Sequence, residues 1–280
     1  MPELPEVEII VRKLKTFLIG KVPIRIICNK AKLLKTSQCL SMALDRPIYD
    51  ISRKGKLIIL SVPPYAWLIH LKMTGQLWWQ HKDTPLPSYT HLTILFKDTE
   101  YQLRFADSRQ FGYLQIVPEK VLSQVPFLQK LGPDALTITP LTFKKRLQNR
   151  HAIIKSLLLN QQCLAGLGNI YSDEALWLAK IHPLTPANTI NQTQIKKLTT
   201  AIHKVLKCAL KLGGTSIKSY VHPDGQKGLY QNRLFVYGKA GLPCQRCGSL
   251  IKRLKIGGRS SYFCPLCQPR IINAFTETNH

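Results

Sequence analysis

The stretch Met1-Pro2-Glu3-Leu4-Pro5-Glu6-Val7-Glu8-Ile9-Ile10-Val11-Arg12-Lys13-Leu14-Lys15-Thr16-Phe17-Leu18-Ile19-Gly20 sets how the fold begins. Pro5 suits the first turn of a helix, and Glu6 and Glu8 favour its positive end. Val7, Ile10, Val11, Leu14 and Leu18 recur at helical spacing, and Gly20 is a stop signal. The spacing predicts an amphipathic helix whose apolar face packs on the elements that follow. The same residues carry a second reading. Pro2 is small enough for the initiator methionine to be trimmed, which would leave its ring nitrogen as the terminal amine. An α-amino group titrates near ~7.7–8.0, and the positive end of a helix disfavours its cationic form. A neutral secondary amine can attack a sugar anomeric carbon. The resulting iminium keeps its charge without a proton and draws electrons from the sugar. Glu3, beside it, is a candidate proton carrier. A capped helix start and a nucleophile are both open on this stretch alone.

Outward from the helix, apolar and branched runs predict strands at 22–28, 48–53, 56–62, 67–72, 76–79, 91–96, 102–105 and 113–117. Turn residues separate them, among them Arg53-Lys54-Gly55, Pro63-Pro64, Thr74-Gly75 and Lys97-Asp98. Many short strands at this spacing indicate a two-sheet sandwich or barrel. Beyond 118–126 the period becomes helical, with helices expected at 140–147, 153–159, 170–179 and 194–212. The last carries Ile195, Leu198, Ile202, Val205, Leu206, Ala209 and Leu212 on one face and stops at Gly213-Gly214. A loop rich in Gly, Ser, Asp and Lys follows at 215–228, and loops of this length are usually functional or mobile.

The net charge of +25 over 280 residues, with a pI near 9.9, attracts polyanions, chiefly nucleic acid. An anionic membrane surface is the rival partner, but no apolar run reaches the ~18 residues of a spanning helix. The acidic N-terminus lacks the basic region of a secretory signal. The expectation is a soluble intracellular protein, in which disulfides are unfavoured.

Of eight cysteines, Cys28, Cys39, Cys163 and Cys208 lie among apolar residues and are expected to be small buried groups or inert thiols. Cys244, Cys247, Cys264 and Cys267 form two C-x2-C pairs, which is the spacing of a closed, structural zinc site. Two disulfides are the alternative. Between the pairs, 250–256 and 260–263 read as strands joined at Gly257-Gly258. Arg259, just past that turn, is placed either to meet a phosphate or to be a solvated basic tip.

Ala165-Gly166-Leu167-Gly168-Asn169 precedes the helix beginning Ile170-Tyr171-Ser172-Asp173-Glu174. Asn169 is expected to cap it. Exposed amides at such a start bind phosphate, with Lys155 adding charge. An ordinary capped helical hairpin reads the same way. His70-Leu71-Lys72-Met73-Thr74-Gly75 and Asp107-Ser108-Arg109-Gln110-Phe111-Gly112 both fall where strands meet turns. Met73, Arg109 and Phe111 could form a wedge that fills the hole left by an extruded nucleotide, or simply pack in a core. Taken singly, His70 and His91 read as strand histidines, and Lys56 as one of a basic cluster.

In combination these motifs resemble the formamidopyrimidine-DNA glycosylase family of bacterial base-excision repair enzymes. The resemblance runs nearly end to end. It rests on Pro-Glu-Leu-Pro-Glu-Val-Glu from Pro2, Gly-Lys-Leu around Lys56, His-Leu-x-Met-x-Gly from His70, Arg-x-Phe-Gly from Arg109, and Gly-Leu-Gly-Asn-Ile-Tyr from Gly166. Ile-His-Pro, Gly-Gly-Thr, Val-Tyr-Gly and the four-cysteine finger complete it. The resemblance implies an α+β, multidomain fold. Its parts are a β-sandwich with flanking helices over 1–118, a helix-two-turn-helix domain with a lesion-covering loop over 119–235, a zinc finger hairpin over 236–270 and a tail over 271–280. DNA would lie in the cleft between the domains.

It further implies that Pro2 forms a Schiff base with C1′ of the damaged nucleotide and that Glu3 donates the proton that assists base loss and sugar ring opening. Lys56 corresponds to the β-elimination and phosphate-positioning residue, and Arg259 to the finger arginine of δ-elimination. His70, Asn169 and Tyr237 correspond to phosphate grips, and His91, Arg109, Arg150 and His151 to other DNA contacts. Implied with these are one structural zinc ion, duplex DNA bearing oxidised bases or abasic sites as partner, no membrane, a monomer, and a bacterial cytoplasmic location. The reading is a bifunctional glycosylase and lyase for 8-oxoguanine and formamidopyrimidines. The related oxidised-pyrimidine endonucleases usually have Gly where this chain has Leu4, and a non-catalytic DNA binder would not need Pro2, Glu3, Lys56 and Arg259. Departures from common family variants fall at Gln110, Asn160 and Lys218-Ser219.

Overall fold

The computed structural model describes residues 1–36, 41–217 and 219–270. Cys39, Lys218 and the 271–280 tail, for which the sequence raises expectations, lie outside the described residues. The chain divides into two compact units. The first joins Met1–Leu131 to Lys207–Arg233, and the second joins Gly132–Leu206 to the chain from Leu234 onward.

The first unit begins with α1 (Leu4–Leu18). All five residues of its predicted stripe are buried. The strands are β1 (Pro23–Cys28), β2 (Leu34–Thr36), β3 (Asp50–Lys54), β4 (Leu57–Val62), β5 (Tyr65–His70), β6 (Gln76–His81), β7 (Thr90–Phe96), β8 (Tyr101–Ala106) and β9 (Tyr113–Pro118). They form a four-stranded sheet in the order β1-β7-β8-β6 and a five-stranded sheet in the order β2-β9-β5-β4-β3. One core fills the space between them. The stripe of α1 belongs to the same buried cluster as Ile58, Leu60, Trp67, Ile69 and Leu114 of one sheet and Leu77, Leu92, Ile94 and Phe105 of the other.

Apolar residues of β4 and β5 are buried on both faces, so their sequences run nearly unbroken rather than alternating. Leu57, Ile59, Ala66 and Leu68 point away from the main core, toward Leu122, Val125, Phe127 and Leu128. Those residues belong to a 3-10 helix (Glu119–Gln124) and the short α2 (Pro126–Gln129) that follows it. The unpredicted β2 is only three residues long and pairs in parallel with β9.

The second unit holds α3 (Pro140–Leu147), α4 (Ile154–Leu159), α5 (Asn169–Ala179) and most of α6 (Gln192–Lys211), then the hairpin of β10 (Lys252–Ile256) and β11 (Arg259–Phe263). Thr139 caps α3 by accepting the Thr142 N–H at 3.2 Å. In α6 the stripe from Ile195 to Ala209 is buried, whereas Leu212 lies past the helix end. Cys163 is buried as expected, but Cys208 is exposed on α6, where the helical period turns it away from that stripe. No helix among the described residues is long and apolar enough to cross a membrane.

Candidate nucleic-acid interface and active site

The candidate nucleophile stands at the head of α1. Pro2 and Glu3 are both buried, and Glu3 is only 2% exposed. The Glu6 carboxylate reaches back to accept the Glu3 N–H at 2.7 Å, the return arm of a capping box. Its other oxygen accepts the Thr215 N–H at 2.8 Å, at the stem of the 215–228 loop. One buried carboxylate thus holds both the acidic start of the helix and the root of the loop. The loop is fastened further by Lys13 to Asp224, by the Gln76 amide to the Ser219 carbonyl, and by the Trp79 N–H to the Pro223 carbonyl at 2.8 Å.

Lys56 occupies the two-residue turn between β3 and β4, where Lys54 pairs with Leu57. It is only 5% exposed. The same α1 that carries Pro2 braces this hairpin, because Arg53 donates to Glu8 at 2.7 Å. In the linear sequence Glu6 and Glu8 read only as charges favouring the helix dipole. The spacing Glu3-x-x-Glu6 was the signal that could have shown the first of these ties.

His70 ends β5 and is 7% exposed. Burial, with Lys72 and Lys56 nearby, pushes its pKa down to about 3. Its Nδ1 accepts the Lys72 N–H at 3.0 Å, so the ring is neutral and carries its proton on Nε2. That N–H can be offered to a phosphate without a charged imidazole being buried. His91 is half-buried on β7, and its Nε2 has no protein partner.

Two of the three wedge candidates, Arg109 and Phe111, touch, and Met73 precedes Thr74, whose hydroxyl donates to Asp107. Met73 is 41% exposed and Phe111 is 53% exposed, and the Arg109 guanidinium carbon lies 4.8 Å from the Phe111 ring centre. Gly112 follows because a Cβ there would stand 2.5 Å from the Phe105 ring. Asp107, given no role in the sequence reading, accepts the backbone N–H groups of Arg109, Phe111 and Gly112.

In the second unit, α4, two turns and α5 form the expected hairpin. Gln161 braces the turns, donating to Leu159 O and Leu167 O and accepting the Gly166 N–H at 2.9 Å. Asn160 accepts the Gln162 N–H at 2.9 Å, an Asx turn that either Asn or Asp can make. Two expectations are corrected. Gly168 is the N-cap of α5, and Asn169 is its first residue. The Asn169 amide instead donates to the Ser260 carbonyl at 2.7 Å. Lys155 is fully buried, donating to Asp173 at 2.6 Å, Ser172 Oγ at 2.6 Å and Asn169 O at 3.1 Å. Its charge is spent inside the hairpin, which removes it from the surface set. Burial pushes the Asp173 carboxyl up to about 7 against the pull of the Lys155 ammonium.

Those same residues seat the finger. Asp173 accepts the Tyr262 N–H at 3.0 Å, one helical turn from the Asn169 contact, so α5 holds the edge of β11 that β10 leaves free. Glu174 accepts three consecutive N–H groups, from Phe235, Val236 and Tyr237, at 2.8–2.9 Å. Arg259 follows the Gly257-Gly258 turn, whose φ values of 52° and 76° are those of a type I′ hairpin, and it is exposed. Arg150 and His151 are also exposed, the latter 3.2 Å from the Asn188 amide.

The four finger sulfurs lie within 4.8 Å of one another. Cys244 to Cys267 is 3.9 Å and Cys247 to Cys264 is 3.4 Å. A tetrahedral zinc with Zn–S near ~2.3 Å spaces its sulfurs by about 3.8 Å. The set therefore fits one structural zinc ion, and Trp177 Nε1 donates to Cys244 Sγ at 3.4 Å as an outer support.

Three family models match the chain. The formamidopyrimidine-DNA glycosylase N-terminal domain covers 1–114, its H2TH domain covers 131–221, and the zinc finger found in FPG and IleRS covers 241–270. The formamidopyrimidine-DNA glycosylase of Desulforamulus reducens is 41% identical over 96% of this chain and 99% of its own length. A Lactococcus lactis FPG variant in complex with Fapy-dG DNA superposes with a TM-score of 0.90 at 37% identity, over 96% of this chain and all (100%) of that one. The Lactococcus lactis FPG bound to abasic-site DNA gives 0.87 at 36% identity, with the same coverage of 96% and 100%.

Two outcomes check this geometry. Removing the zinc, verified by metal analysis, should abolish hydrogen-exchange protection across 252–263 while β4 and β5 stay protected, because metal binding of this kind supplies ~10–16 kcal/mol of folding free energy in isolated fingers. Retained protection in the hairpin would contradict a structural ion. The second concerns His70. Its folded pKa lies below the unfolded value, so the unfolded state alone takes up the proton between pH 6.5 and about 3. Its stabilising contribution is complete above pH 6.5 and is lost as pH falls, at about 1.4 kcal/mol per unit. The wild-type stability curve should therefore be steeper than that of His70→Gln between pH 6 and about 4. Parallel curves would show that His70 titrates normally.

Proposed function

This chain belongs to the formamidopyrimidine-DNA glycosylase family and is a base-excision repair DNA glycosylase, and we propose that it removes oxidised purines and then cuts the strand through Pro2. The observation that carries this reading is the buried head of α1, where Pro2 and Glu3 are fixed by Glu6 rather than fraying into solvent.

With Met1 removed, the Pro2 nitrogen attacks C1′ of the flipped nucleotide. The C1′–N bond to the base breaks, and the base leaves with a proton. Glu3 protonates the ring oxygen, opening the sugar to an iminium. The iminium acidifies C2′. Loss of the C2′ proton expels the 3′-phosphate, and a second elimination, from C4′, expels the 5′-phosphate. Water then releases the sugar fragment from Pro2. Lys56 assists the first elimination, and Arg259 steadies the phosphate in the second.

Flipping costs a few kcal/mol of stacking and pairing. Met73, Arg109 and Phe111 offset part of this by filling the gap. His70, His91, Asn169, Tyr237, Arg150 and His151 grip the DNA. The 215–228 loop covers the extruded base. We place the protein in the bacterial cytoplasm, as a monomer on DNA. Leu4 favours the purine over the pyrimidine branch.

Pro2→Gly tests the chemistry. A primary amine remains, so strand cleavage at a preformed abasic site should persist, while 8-oxoguanine release falls by about 10-fold or more. Equal losses on the two substrates would contradict the secondary-amine step.

A further inference from the structure

Asp107 is 1% exposed, yet it touches nothing of the proposed chemistry. Its carboxylate is used entirely on the loop that carries the wedge. Oδ1 accepts the Arg109 N–H at 3.2 Å and the Thr74 hydroxyl. Oδ2 accepts the Phe111 N–H at 2.9 Å and the Gly112 N–H at 2.7 Å. The Thr74 hydroxyl oxygen in turn accepts the Arg109 N–H at 3.2 Å. The Asp107 main chain closes the turn as well, its carbonyl accepting the Gln110 N–H at 3.1 Å and its own N–H going to Tyr89 O at 3.0 Å.

The consequence is mechanical. Met73 and Thr74 belong to the turn after β5, whereas Arg109 and Phe111 belong to the turn after β8. The carboxylate binds the second turn through three backbone N–H groups and the first through one side chain. Two loops distant in sequence become one rigid mount, from which Met73 and Phe111 stand out into solvent. Apolar groups held exposed on a rigid mount are suited to insertion, because the ordering cost falls before binding rather than during it.

We propose that Asp107, coupled to Thr74, is the positioning residue of the base-stack wedge, setting Met73, Arg109 and Phe111 as a single insert for duplex DNA. The proposal rests on the wedge reading given above and goes beyond it by naming what holds the wedge. Left without the carboxylate, the Phe111 and Gly112 N–H groups lose their acceptor, Arg109 keeps only its bond to Thr74, and the insert must be ordered at each encounter.

The test is the ratio of borohydride trapping rates on duplex and single-stranded abasic DNA, since only the duplex needs a wedge. Asp107→Ala should lower the ratio about 10- to 100-fold. Asp107→Asn, which keeps an acceptor for Phe111 and Gly112, should recover most of it. Thr74→Val, which preserves shape and removes only the link between loops, should lower it about 3- to 10-fold and guards against a folding failure at Asp107. In a background already carrying Arg109→Ala and Phe111→Ala, Asp107→Ala should change the ratio less than about twofold. An unchanged ratio in Asp107→Ala and Thr74→Val, or an equal loss in the wedge-less background, overturns the proposal. If Arg109→Ala with Phe111→Ala itself keeps the wild-type ratio, the wedge reading fails first and the proposal goes with it.

Discussion

A single carboxylate, that of Glu6, ties the start of α1, which carries the proposed nucleophile, to the root of the 215–228 loop. It accepts an N–H from Glu3 at the head of α1 and another from Thr215 at the root of the 215–228 loop, and it is itself 2% exposed. A buried charge satisfied by two backbone donors is costly to displace, because no water stands ready to replace them. Chain ends usually fray. Here Met1 is exposed, but Pro2 and Glu3 directly behind it are buried at the helix start. The body of α1 then anchors the anchor: its stripe is buried in the core that both sheets share, and its Glu8 braces the hairpin that carries Lys56.

The second unit repeats the device. Asp173 and Glu174, adjacent on α5, spend their carboxylates on backbone N–H groups of β11 and of the segment before the finger. Asn169 adds a donor to the same strand edge. Arg259 and Tyr237 therefore ride on α5 as much as on the zinc-bound hairpin. Across both units, acidic side chains are scarce, 15 against 40 basic ones. Glu6, Asp107, Asp173 and Glu174 are buried and accept backbone N–H groups, and the basic excess favours a polyanion.

Strong periods were legible before any coordinates. The stripe of α1, eight of the nine strands of the first unit, the four longer helices and the finger spacing all follow from alternation, helical repeat or ligand spacing. What the sequence left hidden was side chain to backbone bonding. Asp107 and Glu6 look like turn and dipole residues in a linear reading, because their partners are N–H groups that every residue possesses. Asn169 was misjudged by one position, since Gly168 can take the cap conformation and frees the amide to reach β11. Lys155 looked like a surface cation because nothing local reveals Asp173 as its buried partner. The three-residue β2 had no period to read.

The central claim is that the ring nitrogen of Pro2 bonds covalently to the sugar. The direct measurement is peptide mass mapping of the species trapped by borohydride on abasic-site duplex DNA. The account predicts a reduced sugar adduct on a peptide that begins at Pro2, with Met1 absent. An adduct on a lysine side chain, or trapping by chains that retain Met1, would contradict it.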